Sequence, residues 1–196
     1  EQGVGYNVEL KNWPLVDPLS LVLLAALCLS DVFFKQTLLV SLLSIGLAIL
    51  HSIRLAGWYT HGIWKKPLLW VLFLGYKMFI IGFILKAANS FNLYPSSIPL
   101  HAFAYGGIGL MSIGMMSRIS LGHTGRNINE PPKALAWIFL CLFIGAIIRV
   151  IVPIFVPTAY LHIIGTAQLL WIVAFAGFFY HYLMIFIRPR VDGQPG

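Results

Sequence analysis

Apolar residues fall in six long runs separated by short polar or Gly/Pro-marked stretches: Asp17 to Phe34, Thr37 to Arg54, Pro67 to Ala88, Pro99 to Ser120, Lys133 to Val152 and Thr158 to Ile187. Each is near the ~20 residues that a helix needs to cross bilayer hydrocarbon, where every backbone polar group must be bonded within the segment. The pattern predicts an all-α, polytopic membrane protein, a single bundle of six transmembrane helices occupying residues 1–196. Lys35-Gln36 leaves room only for a tight hairpin, so spans 1 and 2 should be antiparallel neighbours. Gly57 to Lys66 and Leu121 to Pro132 read as longer polar loops.

Composition agrees. Of 196 residues, 59% are hydrophobic and 10% charged, which excludes a disordered chain, a collagen, a coiled coil or a nucleic-acid reader. The net charge of +7 has a topological explanation. Because spans alternate in direction, one side of the membrane holds Lys11, Arg54, Lys65, Lys66, Arg118, Arg126, Lys133, Arg188 and Arg190, and the other only Lys35, Lys86 and Arg149. The positive-inside rule then places both termini in the cytoplasm, with the lipid bilayer rather than an acidic macromolecule as the partner. Cys28 and Cys141 lie inside apolar runs and read as small core residues, not as a disulfide framework or a zinc motif. The chain begins at Glu1 with a polar stretch, which is not a signal-peptide layout and reads as a piece of something longer.

The six histidines sort by this topology into two sets. His101 and His162 stand near the outer ends of spans 4 and 6, at similar depth. Two facing imidazoles suit a haem iron or a copper, and Arg149 at the same face suits haem propionates. The alternative is that all three are interfacial polar residues capping helix ends. His51, His123 and His181 stand near the inner ends of spans 2, 4 and 6, with His61 in the adjoining loop; they either build a second metal site or lie in water. Span 4 is rich in Gly, Ala and Ser, which is either ordinary small-residue packing or a shelf for a flat porphyrin with Met111, Met115 or Met116 as soft contacts or ligands. Lys77 falls about 15 Å into span 3, near the midplane, where an ionisable side chain is a functional candidate. Its partner would be a carbonyl, a hydroxyl such as that of Tyr76, or a bound anion; snorkelling is the alternative. After span 4, Arg118 and Arg126 flank His123 in a Gly-containing loop that suits an anion, or that simply carries topogenic charge. Ser112 lacks a nucleophile-elbow setting, so hydrolase chemistry is set aside.

One run is more specific. Gly109 to Arg126, GLMSIGMMSRISLGHTGR, resembles the hallmark of the NnrS family of bacterial inner-membrane proteins. Arg54-Leu-Ala-Gly-Trp58, Pro67-Leu-Leu-Trp70, Leu74-Gly-Tyr76, Ala146-Ile-Ile-Arg-Val150 and the closing Arg188-Pro-Arg-Val-Asp-Gly-Gln-Pro-Gly196 fit the same family in order. The resemblance implies a haem- or copper-containing membrane protein associated with nitric oxide, denitrification and nitrosative stress. It also implies a second, N-terminal bundle in longer relatives, so that this chain would work with such a bundle or with a second copy. It assigns the family's prominent histidines to His101 and His123, with Arg118 and Arg126 beside the latter. Two positions depart from the pattern: Phe73 where relatives commonly have histidine, and Lys77 where they commonly have a small residue. The reading from a different class is a carrier or channel half lined by Lys77 and span 4, and a third is a structural subunit without a cofactor.

Overall fold

The computed structural model describes residues 7–8, 11–34, 37–89 and 91–193. The predicted Lys35-Gln36 hairpin, Glu1 and the last three residues of the closing motif lie outside these. Among the described residues, six helices are long and apolar enough to cross a membrane. We number them α1 (Val16–Leu29, continued by a π turn over Ser30–Phe34), α2 (Thr37–Gly57), α3 (Pro67–Asn89), α4 (Ser97–His123), α5 (Ala134–Phe155) and α6 (Pro157–Ile187). The described residues form no strand.

Helix ends follow local chemistry. Pro67 and Pro157 open α3 and α6, where a missing N–H costs nothing. At the end of α4, Gly125 turns left-handed at φ 71°, and the N–H of Arg126 reaches back to the carbonyl of Leu121 at 2.9 Å. That is a glycine-terminated Schellman cap, so the Gly-His-Thr-Gly-Arg run stops a helix. His123 is the last residue of α4 rather than a loop residue, and the predicted loop before Pro67 contains a 3-10 turn, His61–Lys65.

The helices form two parts that share α3. A large core cluster joins α3, α4, α5 and α6 through Val71, Met78, Leu110, Ile113, Phe139, Leu142 and Tyr182, all fully buried. A smaller cluster joins α1, α2 and α3 through Leu27, Leu47, Leu55, Ile80 and Phe83. The backbone of α1 packs on α2, and the π continuation of α1 is tied to α3 through the Asp31–Lys86 ion pair. Large apolar side chains such as Leu21, Trp137, Leu161 and Phe179 point outward, the arrangement expected where the solvent is lipid.

Between α3 and α4 the small residues of span 4 are used for packing. Gly106 and Gly107 receive Met78 and Phe79 of α3, and Gly114 receives Val71; in return Gly75 and Gly82 of α3 receive Met111 and Phe103. Within this seam α4 winds as a π helix over Ala102–Ile108, a widened turn that carries Phe103 and begins immediately after His101. Interhelical hydrogen bonds complete the bundle, each from a side chain to a neighbour's carbonyl. Ser41 Oγ donates to Ala87 at 3.1 Å, Tyr105 OH to Ala167 at 2.6 Å and Tyr182 OH to Ser117 at 3.2 Å.

Candidate functional site

The most polar group within the bundle lies near the basic end of α2. His51 and Arg54 are three residues apart, so they share one face of that helix. α3 brings Tyr76 to the same face: His51 Nδ1 lies 2.6 Å from the phenol oxygen, and Arg54 donates to that oxygen at 3.1 Å. α1 brings Asp17 and Ser20, also three apart. Arg54 is ion-paired to Asp17 and donates to Ser20 Oγ at 3.0 Å. One chain of polar contacts thus runs from α1 through α2 to α3.

The pattern of these bonds favours one tautomer. A guanidinium cannot accept, so Tyr76 accepts from Arg54 and has one hydrogen left to give. The acceptor in reach is His51 Nδ1 at 2.6 Å, and with that donation the N–H of a neutral ring stands on Nε2. Phe83 lies parallel to the imidazole, with centroids 5.5 Å apart and planes within 1°, and Phe103 meets Phe83 edge-on at 4.9 Å.

This group closes one end of a cavity of about 940 Å³ between α1, α2, α3 and α4. Leu24, Leu27, Phe79, Phe103 and Leu100 form its apolar walls, and Asp31, Lys86 and Asn89 lie toward the other end. Lys86 is ion-paired to Asp31 at 2.9 Å. An adjoining pocket of about 670 Å³ is lined by Phe73, Trp58, Leu69 and Leu72, and Tyr76 and Met111 line both spaces. Phe73, at the position where histidine was expected from the resemblance, packs its ring against Tyr59 and Trp64.

The histidines predicted as an outer pair take different roles. His101 is half-buried, and its Nε2 lies 2.7 Å from an Arg149 nitrogen on α5. Arg149 must be the donor, so this contact occupies the ring's lone pair. The same guanidinium lies over the Tyr160 ring at 5.6 Å, while His162 is exposed on α6. Arg149, rather than His162, is the partner of His101.

The predicted inner set is also dispersed. α2 packs on α1 and α3 and not on α6, so His51 and His181 are separated, and His123 is exposed at the end of α4. His181 is half-buried beside the Tyr180 ring, and His61 faces Tyr59 in the loop. Among the described residues no three His, Cys, Asp or Glu side chains converge. Lys77 is exposed on α3 and lines neither the cavity nor the adjoining pocket; Tyr76, one of its suggested partners, belongs to His51 and Arg54. Met115, Met116 and Arg118 are exposed as well, whereas Met111 is a wall residue.

Sequence reasoning passed over Arg54, Asp17, Phe83 and the role of Tyr76. The available signals were the three-residue spacing of His51 and Arg54 and an aspartate at the entry of span 1, a counter-charge at the same depth.

The loop after α4 has a structural partner too. The N–H of Val191 donates to the Thr124 carbonyl at 3.3 Å, and Asp192, ion-paired to Arg190, lies against Gly125. A Cβ at Gly125 would stand 2.6 Å from the Asp192 carboxyl carbon. The Gly-His-Thr-Gly-Arg and Arg-Pro-Arg motifs, far apart in sequence, therefore dock on one another. Gly125→Ala meets both this contact and a positive φ, and is expected to cost about 1–3 kcal/mol. Gly122→Ala, whose Cβ would make only a 3.4 Å contact with Ile128, is expected to be near neutral. Thermal unfolding of both variants in detergent checks this; equal midpoints would show that the tail does not rest on Gly125.

These features define a polytopic α-helical membrane protein with a polar, aromatic-walled cavity on one side of its core. Within that class the chain belongs to the NnrS family: the family model described as NnrS protein matches residues 2–190, nearly the whole chain. Neither the curated proteins nor the solved structures yield a match.

Proposed function

We propose that the protein acts in the bacterial inner membrane, in the response to nitric oxide or in denitrification, as an NnrS-type haem or copper protein. Family membership over residues 2–190 carries this reading.

The donor chemistry of the chain qualifies the cofactor. Copper takes several nitrogen or sulfur donors, and among the described residues no three His, Cys, Asp or Glu side chains come together. Haem needs one or two axial imidazoles with a free lone pair. The lone pair of His101 is taken by Arg149 and that of His51 by Tyr76. In this arrangement neither His101 nor His51 offers a free lone pair, and no cluster of three His, Cys, Asp or Glu side chains is preformed among the described residues. The exposed rings of His162 and His123 stand at opposite ends of the bundle, and each is available to a separate shared site. The remaining ligands would come from an N-terminal bundle of the kind longer relatives carry, or from a second copy.

Deleting the gene should lengthen the growth lag under a nitric-oxide donor, and restoring the wild-type gene should remove the delay. Identical growth of the deletion and parent strains under the donor would overturn the reading. The shared site at His162 has its own test. A Soret band in the assembled membrane protein should weaken in His162→Ala and persist in His61→Ala.

A further inference from the structure

The cavity between α1, α2, α3 and α4 has a composition that selects its occupant, whatever cofactor the protein carries. Both cations in its lining are already matched, Arg54 by Asp17 and Lys86 by Asp31. An anionic headgroup would therefore find no uncompensated positive charge, and a cation no free carboxylate. What the cavity does offer is a donor at one end, the N–H assigned to His51 Nε2 when Tyr76 donates to Nδ1, and at the other the buried Asn89 Oδ1, neither with a partner among the described residues. Such a donor at membrane depth requires an acceptor.

Shape points the same way. Phe83 lies parallel to the His51 ring, and Phe79 and Phe103 complete an aromatic end that suits a flat ring. The volume of about 940 Å³ falls within the range of small-molecule sites, ~300–1,000 Å³. Beyond the ring-sized end the walls are Leu24, Leu27, Cys28, Pro99 and Leu100. Among the described residues the backbones of α1 and α4 do not pack on one another, so the slot between them is open, and Leu24, Cys28 and Leu100 are exposed along it.

We propose that this cavity binds a membrane quinone: a neutral, planar ring whose carbonyl accepts from His51 Nε2, with its isoprenoid tail leaving through the α1–α4 slot into lipid. Tyr76 is a positioning residue that sets the imidazole tautomer, and Arg54 holds Tyr76.

The test is equilibrium binding of radiolabelled decylubiquinone to the full chain in phosphatidylcholine nanodiscs, with folding of each variant checked by circular dichroism and gel filtration. Wild type is expected to bind saturably and stoichiometrically. His51→Leu should weaken binding about tenfold, the value of one lost hydrogen bond in a dry site. His51→Gln, which keeps an N–H donor, should recover part of that loss. Tyr76→Phe should weaken binding less than His51→Leu, because it frees the tautomer without removing the ring. Cys28→Trp should close the slot and abolish binding. Unsaturable partitioning, or binding unchanged in folded His51→Leu and Cys28→Trp, would overturn the proposal. So would displacement by phosphatidylglycerol, which would mark a lipid site. Stoichiometric haem whose Soret band is lost in His51→Leu would also overturn it, and would assign the cavity to the family's cofactor instead.

Discussion

Gly106→Leu is expected to be the most damaging single change in the bundle. The position faces Met78 of α3, which is fully buried, and a Cβ there would lie 2.8 Å from both Cβ and Cγ of that methionine. Rotating the methionine tip cannot relieve a contact made so close to its backbone, so α3 and α4 must move apart. Overpacking a core commonly costs about 1–3 kcal/mol, and a helix–helix displacement places this variant at or beyond the upper end. The loss spreads, because the same seam holds Gly75 against Met111, Gly107 against Phe79 and Gly114 against Val71. Gly165→Ala on α6 is the contrast: nothing lies within 4 Å of its would-be Cβ. Alanine there should raise helix stability by roughly 0.5–1 kcal/mol. The midpoint of thermal aggregation in detergent should fall steeply for Gly106→Leu and hold or rise for Gly165→Ala. Similar midpoints would mean that the α3–α4 seam is not the tight interface described.

Arg54→Met should have the second largest effect, and a local one. Among the described residues Arg54 is the only side chain that bonds residues of both α1 and α3, through Asp17, Ser20 and Tyr76, and the Asp31–Lys86 pair ties the same two helices at the far end. Methionine keeps the length and apolar stem of the side chain but removes its donors. Asp17 is largely exposed and can turn to water, so its share is discounted. The loss of the remaining charge-assisted bonds places the effect at about 2 kcal/mol. The change should show as release of α1 while the core of α3 to α6 stays folded. Maleimide labelling of Cys28 on α1 should speed up, while that of Cys141 on α5 stays at the wild-type rate. Equal acceleration at both cysteines would mean that Arg54 stabilises the whole bundle, and no acceleration would mean that packing against α2 and the Asp31–Lys86 pair hold α1 without it.

The six spans were legible because bilayer crossing is a property of one segment: each needs enough apolar residues and nothing from its neighbours. All six predicted runs correspond to helices, with ends displaced by local caps. α4 runs on to His123 because its stop is the glycine at position 125, and α5 continues past Val152 because a short helical turn carries Pro153. The small residues of span 4 were open between close packing and a porphyrin shelf, and large α3 side chains fill the glycine positions.

The candidate site was less legible, for a physical reason. Depth in the membrane, which topology predicts, ranks histidines along one axis only. It says nothing about azimuth, the direction each faces around its helix. His101 and His162 were assigned similar depths, yet α5 places Arg149 against His101 while His162 faces outward. His51, His123 and His181 share an expected depth and stand on α2, α4 and α6, of which α2 does not reach the others. Tyr76 looked like a neighbour of Lys77 because the two are adjacent in sequence. Adjacent helix positions lie about 100° apart, so the two side chains serve different surfaces.

By itself, the sequence determined that this protein is a six-span membrane bundle of the NnrS family, since hydropathy and a contiguous motif are each complete within a short stretch of chain. Only the tertiary structure decided that His51 is read by Tyr76, that Arg54 is the junction of α1, α2 and α3, and that the two arginine-bearing motifs near the basic end meet at Gly125. Each of these depends on which faces of separate helices meet, and that is set by packing among all six spans rather than by any one of them.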